Sequence, residues 1–396
     1  MLSKYRRLIS LVLVIFTGMG FRLLQFEGAI VVYFLLLCLF NFDLLWVIKP
    51  RLLLICFLMS ILLTIIYLFK DAHVPYFMFI VIFGCYVFLL PYVKQPNLLG
   101  NDIISFSKFS MYYTLSSIPL ILIIPSYLTE TLLDYSLYKT FLYTHWFSPV
   151  GGLGIFDGLR FTGITWEPGI WQLFLNFNLL FAFYEKRSTT HIILSLLSII
   201  VVYSTTGLIV ASILLAFSLT SRFHKISKAH IVGTILTILV FLPYIYSNFE
   251  SKLYGEHMGS GMTRFSDFFT GVYLLFQNPI FGSTPENAIA SINPDLVAIK
   301  AFFWSGNFID GSFNGYLTVT NSNGYILLLL DWGLPIGLIL LVLSTKSSLF
   351  KDKKINFIFY ALLFISMSSE AISNTTFFYS LIILGLYNYQ IKIKLQ

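Results

Sequence analysis

Arg160-Phe-Thr-Gly163-Ile-Thr-Trp-Glu167-Pro168-Gly169 opens onto an apolar run, Ile170-Trp-Gln-Leu-Phe-Leu, that continues to about residue 184. An arginine, a carboxylate and glycines are costly to place beside lipid. Ionisable groups near a bilayer usually serve chemistry, transport or headgroup contact. Pro168 suits the first turn of a helix, and Glu167 just ahead of it can cap free N–H groups and favour the positive helix end. Two readings follow. In one, a well-capped helix carries Arg160 snorkelling to a headgroup. In the other, Arg160 binds a phosphate through paired charge-assisted hydrogen bonds, and Glu167 orients or deprotonates a hydroxyl. The preceding Gly151, Gly152, Gly154 and Gly158 would let backbone approach a ligand, but no Gly-Lys-Ser/Thr follows, so this is not a P-loop.

The rest of the chain sets this segment in an apolar context. Its 396 residues are 57% hydrophobic and 11% charged, with mean hydropathy +0.83; soluble domains average about 25% charged residues. Candidate spanning helices fall at about 8–26, 29–48, 52–69, 74–92, 107–128, 168–184, 189–205, 207–221, 229–247, 323–343, 355–371 and 374–390. The expected fold is therefore an all-α integral membrane protein of about twelve transmembrane helices in one polytopic domain, residues 1–396. With the N-terminus inside, most of the 25 lysines and arginines fall on the cytoplasmic side, which favours N-in and C-in. The basic N-terminus, Met1 to Arg7, leads into the first apolar run and reads as a retained helix. The net charge of +7 is scattered at the ends of apolar runs, so a membrane explains it better than nucleic acid. Cys38, Cys56 and Cys85 each lie inside an apolar run, with no CxxC pair and no histidine at metal spacing.

Two segments, 129–167 and 248–322, are too long and mixed for simple turns and are expected outside the membrane as large loops. Within the second, 264–277 reads as an amphipathic helix at the interface. It begins at Arg264, in Gly259-Ser-Gly261-Met-Thr-Arg264-Phe-Ser-Asp267. The plain reading there is an Arg264–Asp267 pair on a solvated face, worth little. Asn278-Pro279-Ile-Phe-Gly282 then reads as a turn. Further on, Asn323 is a good N-cap, followed by Tyr325 and by Asp331-Trp-Gly333 about 12 Å into the helix. A carboxylate at that depth faces protein or water, and a buried structural acid is its plain reading. Ser204-Thr-Thr-Gly207 reads as a tight outside turn. The remaining polar groups of the outer side, His145, Asp157, Asp310 and Glu370 among them, read as solvated.

Taken in order, these segments resemble the O-antigen polymerases and the related O-antigen ligases. Arg160, Gly163, Glu167 and Pro168 match an Arg-x-x-Gly-x-x-x-Glu-Pro pattern, and Thr206-Gly207 a Ser/Thr-Gly turn. Arg264, Asn278, Pro279 and Gly282 match an arginine followed by Asn-Pro-x-x-Gly. Ser322, Asn323, Tyr325, Asp331 and Gly333 match a His/Ser-Asn-x-Tyr pattern with a following acid and glycine. The resemblance covers roughly 100–345, and the ligases carry a histidine where Ser322 stands, which favours a polymerase. It implies a GT-C-like helical bundle with two large periplasmic loops in the bacterial inner membrane. It also implies a metal-independent glycosyltransferase without a cofactor, using undecaprenyl-pyrophosphate-linked oligosaccharide as donor and acceptor. A chain-length regulator and a flippase are the protein partners it implies. Arg160, Glu167 and Arg264 are then the expected catalytic residues, with Gly163, Asn323, Tyr325 and Asp331 binding substrate. The rival readings are an O-antigen ligase and a non-enzymatic flippase or transporter.

Overall fold

A computed structural model describes residues 2–16, 29–70, 72, 76–123, 127–133, 136–142, 144–148, 159–163, 168–220, 242–243, 246, 250, 258–283 and 323–395. The helices that matter here are α1 (Leu2–Phe16), α2 (Ala29–Phe40), α3 (Phe42–Leu45), α4 (Pro50–Leu68), α5 (Tyr76–Leu89), α6 (Asn97–Ile123), α7 (Pro168–Tyr184), α8 (Thr189–Val202), α9 (Thr205–Thr220), α10 (Met258–Gln277), α11 (Gly324–Trp332), α12 (Leu334–Ser344), α13 (Lys353–Met367) and α14 (Thr376–Leu395).

Two of them are apolar around most of their circumference and form the axis of the packing, as expected for helices enclosed on all sides. Every residue of α7 from Pro168 to Ala182 is buried, and so is α14 from Phe377 to Leu384. Helices α6, α8, α9 and α13 pack on α7, while α4, α5 and α12 pack on α14. Stacked and edge-on rings join them, such as Phe177 with Phe359 at 4.4 Å and Phe106 with Phe174 at 4.9 Å. Local chemistry sets the helix starts. Pro50 and Pro168 occupy first-turn positions, where a missing N–H costs nothing. The Ser188, Asn323 and Asp352 side chains each accept hydrogen bonds from the first free N–H groups of α8, α11 and α13.

Residues 129–163 hold a four-stranded antiparallel sheet, β1 (Thr129–Leu133), β2 (Ser136–Phe141), β3 (His145–Ser148) and β4 (Arg160–Gly163), in the order β1-β2-β3-β4. Thr129 pairs with Thr140, Phe141 with His145, and Ser148 with Arg160; the β3–β4 register shifts at Trp146/Phe147. The sheet docks on α6, α7 and α8 through β4.

The all-α, twelve-span expectation is thereby corrected. A sheet occupies the first expected loop, so the fold is mostly helical rather than all-α. Among the described residues one helix, α4, is long and apolar enough to cross a membrane, with 19 residues at mean hydropathy 2.5. Ile30–Phe40, Phe77–Leu89, Thr189–Val202, Thr205–Ala216 and Leu334–Ser347 are apolar but shorter. The physical reason is that hydropathy runs straight over helix breaks. The run at 29–48 stops at Asn41, whose amide is bound to Ser10 Oγ and the Leu37 carbonyl. The run at 323–343 is cut at Gly333 into α11 and α12. α6 is long, at 27 residues, but carries Asp102, which Arg7 meets at 2.7 Å, together with Lys108 and an internal Pro119. The N-in, C-in orientation and the GT-C-like bundle depended on the twelve-span count and fall with it. The surface nevertheless carries many large apolar side chains, including Leu54, Phe57 and Leu58 on α4 and Ile193, Ile209, Ile213 and Ile339 on α8, α9 and α12.

Candidate functional site

The turn between α13 and α14 gathers the polar groups that the sequence scatters over two hundred positions. It begins Ser368-Ser369-Glu370 and closes through a short 3-10 turn, Ile372–Asn374. The Asn323 amide donates to the Ser368 carbonyl at 2.9 Å, while its oxygen caps α11 through the N–H groups of Tyr325 and Ile326. Thr206 Oγ1 donates to Ser369 Oγ at 2.8 Å. Arg264 Nη2 approaches Glu370 Oε1 at 3.4 Å, an ion pair more than a tight hydrogen bond. The same carboxylate lies against Gly169 in the first turn of α7, where a Cβ would stand 1.9 Å from Oε1. Gly169, Thr206, Arg264 and Asn323 belong to the four segments singled out in the sequence, and all four touch this turn.

The electrostatics are uneven. Glu370 is 3% exposed, and a buried carboxylate is tolerated only when paired. Arg264 supplies that pairing from α10, and the free N–H groups at the start of α7 favour negative charge nearby. The Arg264 side chain remains 31% exposed, and its contact with Glu370 is made through Nη2. Asp267, expected to pair with it on a solvated face, is instead 3% exposed on a buried side of α10. α10 covers the expected amphipathic stretch 264–277 and starts earlier, at Met258.

Arg160 and Gly163 stand at the two ends of β4. Arg160 is half-buried and pairs in register with Ser148. Gly163 adopts φ +71°, and a Cβ there would lie 2.4 Å from the Trp171 ring. Trp171 in turn donates from Nε1 to Thr114 Oγ1 at 2.8 Å. The glycine therefore lets the end of β4 lie close against the Trp171 ring of α7, a packing role visible without any ligand. Glu167, Ser322 and the glycines at 151–158 lie outside the described residues, as does most of 248–322.

Asp331 and Tyr325 are placed differently. The Tyr325 hydroxyl donates to the Phe364 carbonyl at 2.7 Å, tying α11 to α13. Asp331 lies at the far end of α11 and is 9% exposed; Tyr67 Oη meets its Oδ1 at 3.3 Å. Lys70, itself 4% exposed, donates to the Leu330 and Asp331 carbonyls, both at 2.7 Å. It thus caps the C-terminal end of α11 with a positive charge. Asp331 belongs to this second buried cluster, one helix length from the Glu370 turn.

That cluster makes a pH prediction. Burial pulls the Lys70 ammonium down from 10.5 to about 8, against the opposing pull of Asp331. Between those two values the folded chain has shed the proton that the unfolded chain still holds, so stability rises with pH in that window. Below about 8 both states are charged and the penalty is constant. At about 1.4 kcal/mol for each tenfold in proton affinity, the gain is about 3 kcal/mol. Thermal unfolding of the purified chain from pH 7.5 to 10.5 should show this rise in wild type and a flatter profile in Lys70→Met. Parallel profiles would rule the lysine out as the cause.

Sequence reasoning passed over Ser368 and Ser369 and read Glu370 as solvated, which its 3% exposure corrects. A signal for Glu370 existed: it is the one carboxylate from 355 to 390, near the end of the apolar run 355–371. An isolated acid in that setting asks for a partner rather than for solvent. No protein-family model, curated protein or solved structure matches this chain, so the likeness to O-antigen polymerases rests on the residues themselves.

Proposed function

We propose that this chain is a polysaccharide polymerase of the O-antigen type, acting at the outer face of the bacterial inner membrane. It transfers a growing glycan from undecaprenyl pyrophosphate to the non-reducing end of another lipid-linked repeat unit. The observation that carries this reading is the meeting of Gly169, Thr206, Arg264 and Asn323 on the single turn Ser368–Glu370. Motifs that share a family's order in sequence have reason to meet in space when they form one site. The exposed apolar side chains of α4, α8, α9 and α12 support contact with lipid, because apolar patches of that extent are uncommon on surfaces that face water.

The chemistry suits these groups. An acceptor hydroxyl attacks the anomeric carbon of the donor glycan, the bond from that carbon to the pyrophosphate oxygen breaks, and lipid pyrophosphate leaves with the electron pair. Negative charge grows on the leaving group. Arg264 offers a planar fork of N–H donors to it, and Arg160 is the second guanidinium assigned to the same task. Glu167 is assigned to positioning or activating the acceptor hydroxyl.

The test is a polysaccharide gel from a deletion strain complemented with wild type. A lipid core bearing a single repeat in the deletion, with the ladder restored by complementation, supports the polymerase. Bare core with polymer left on carrier lipid would instead make the protein a ligase. An unchanged ladder would remove the O-antigen reading altogether.

A further inference from the structure

We infer that Glu370 is the positioning residue for Arg264: it holds one edge of the guanidinium so that the other donors face a pyrophosphate group. This rests on the reading of Arg264 as a pyrophosphate ligand and names a residue that the motif pattern does not contain.

The argument starts from the carboxylate. Glu370 is 3% exposed and sits on a turn fixed from several sides, by Asn323 at the Ser368 carbonyl and by Thr206 at Ser369. Its own amide donates to the Ser366 carbonyl at 3.0 Å, and its carbonyl accepts from the Ile372 amide at 2.8 Å. Its side chain packs against Gly169, where a Cβ would stand 1.9 Å from Oε1. Arg264, by contrast, projects from an amphipathic helix on a long, rotamer-rich side chain. Left alone, it would lose conformational entropy on binding each ligand.

Glu370 fixes one guanidinium nitrogen, Nη2. A guanidinium carries five N–H donors in a rigid plane, so anchoring one edge leaves enough for a two-point contact with phosphate oxygens. The Arg264 side chain is 31% exposed, so part of it is accessible to a ligand. An anchored donor set of this kind is ready before the ligand arrives, and a displacement of 1 Å in such a group can cost on the order of 10²-fold in rate. A carboxylate already committed to Arg264 and packed on Gly169 is poorly placed to accept a proton from an acceptor hydroxyl, so its role is to orient.

Gly169 supplies the decisive variant. A methyl group at this position would collide with the Glu370 side chain, 1.9 Å from Oε1 and 2.5 Å from Cδ, which are its nearest neighbours. Gly169→Ala should therefore push the carboxylate off Arg264 while leaving both of their side chains unaltered in chemistry, and its melting temperature without pyrophosphate is read alongside. The experiment is the thermal shift of the full chain, purified in detergent, titrated with inorganic pyrophosphate. Wild type should bind, and Arg264→Ala should not. Glu370→Gln and Gly169→Ala should both bind about 10-fold more weakly, while Glu370→Asp stays closer to wild type.

A role confined to stability predicts a lower baseline melting temperature with unchanged pyrophosphate affinity, and that result would overturn the inference. So would tighter binding by Glu370→Gln, which would make the carboxylate a competitor of the ligand, or no binding by wild type. Pyrophosphate affinity is read without any polymer. A chain that shows the expected affinities but leaves the ladder intact on deletion would therefore keep the Arg264–Glu370 inference and lose the polymerase reading.

Discussion

Arg264→Ala is expected to leave lipid-linked repeat units almost unpolymerised, with the rate down by about 10²–10³. The magnitude follows from what the guanidinium is proposed to do. It meets charge that develops on the departing pyrophosphate, and a fixed donor aimed at growing charge commonly contributes that much to the transition state. Arg264→Lys should recover part of the loss, since a point charge remains but the planar fork does not. The same truncation also removes the Arg264 side of its ion pair with Glu370, 3% exposed, so some loss of stability is expected alongside. Matched membrane levels separate the two effects. The measurement is ladder length in a deletion strain carrying each variant. A full-length ladder from Arg264→Ala at wild-type abundance would end the assignment. Arg160→Ala, tested beside it, asks whether the guanidinium at the start of β4 shares the task.

Gly333→Ala should abolish accumulation of the folded chain. Gly333 stands between α11 and α12 at φ +74° and ψ +161°, a region that only glycine enters without strain. A Cβ there would lie 1.8 Å from the Ile280 carbonyl oxygen and 2.6 Å from its carbon, both backbone atoms that cannot swing away. The opposing turn has the same construction. Gly282 adopts φ +79°, and a Cβ on it would stand 2.0 Å from the Leu330 oxygen. Two hydrogen bonds seal the pair, from the Ser283 amide to Leu330 at 3.1 Å and from the Leu334 amide to Pro279 at 2.8 Å. The backbone strain alone is on the order of 1–3 kcal/mol, and parting two close-packed turns adds to it. Together these reach the range in which single changes unfold marginal proteins. Cellular abundance and melting temperature of Gly333→Ala against wild type check it. An alanine variant within 0.5 kcal/mol of wild type, roughly the scatter of neutral surface changes, would contradict the geometry.

These glycines show what kind of information a linear pattern carries. Asn278-Pro279-Ile-Phe-Gly282 and Asp331-Trp-Gly333 were each readable as local features, a turn and a buried acid. That the two turns pack face to face was not, because each glycine answers to a backbone some fifty positions away. Asp331 follows the same logic: its neighbours are Tyr67 on α4 and Lys70 just beyond that helix, and nothing near residue 331 announces them.

What the sequence determined by itself is local. Pro168 at the start of α7, Asn323 at the N-cap of α11 and the amphipathic course of α10 follow from short-range rules about free N–H groups and helical period, and all are present. The sheet at 129–163 was within reach of the same rules, since Tyr138, Thr140, Phe141, Trp146 and Phe147 favour strands, but a long segment between apolar helices invited reading as a loop. Tertiary structure decided the rest. Hydropathy sums transfer energies along the chain and is blind to where a helix breaks, so an apolar run passed straight over the break at Gly333. Glu370 could be placed only by packing, because a buried carboxylate is held by partners, here Arg264 and the first turn of α7, that come from 106 and about 200 positions away.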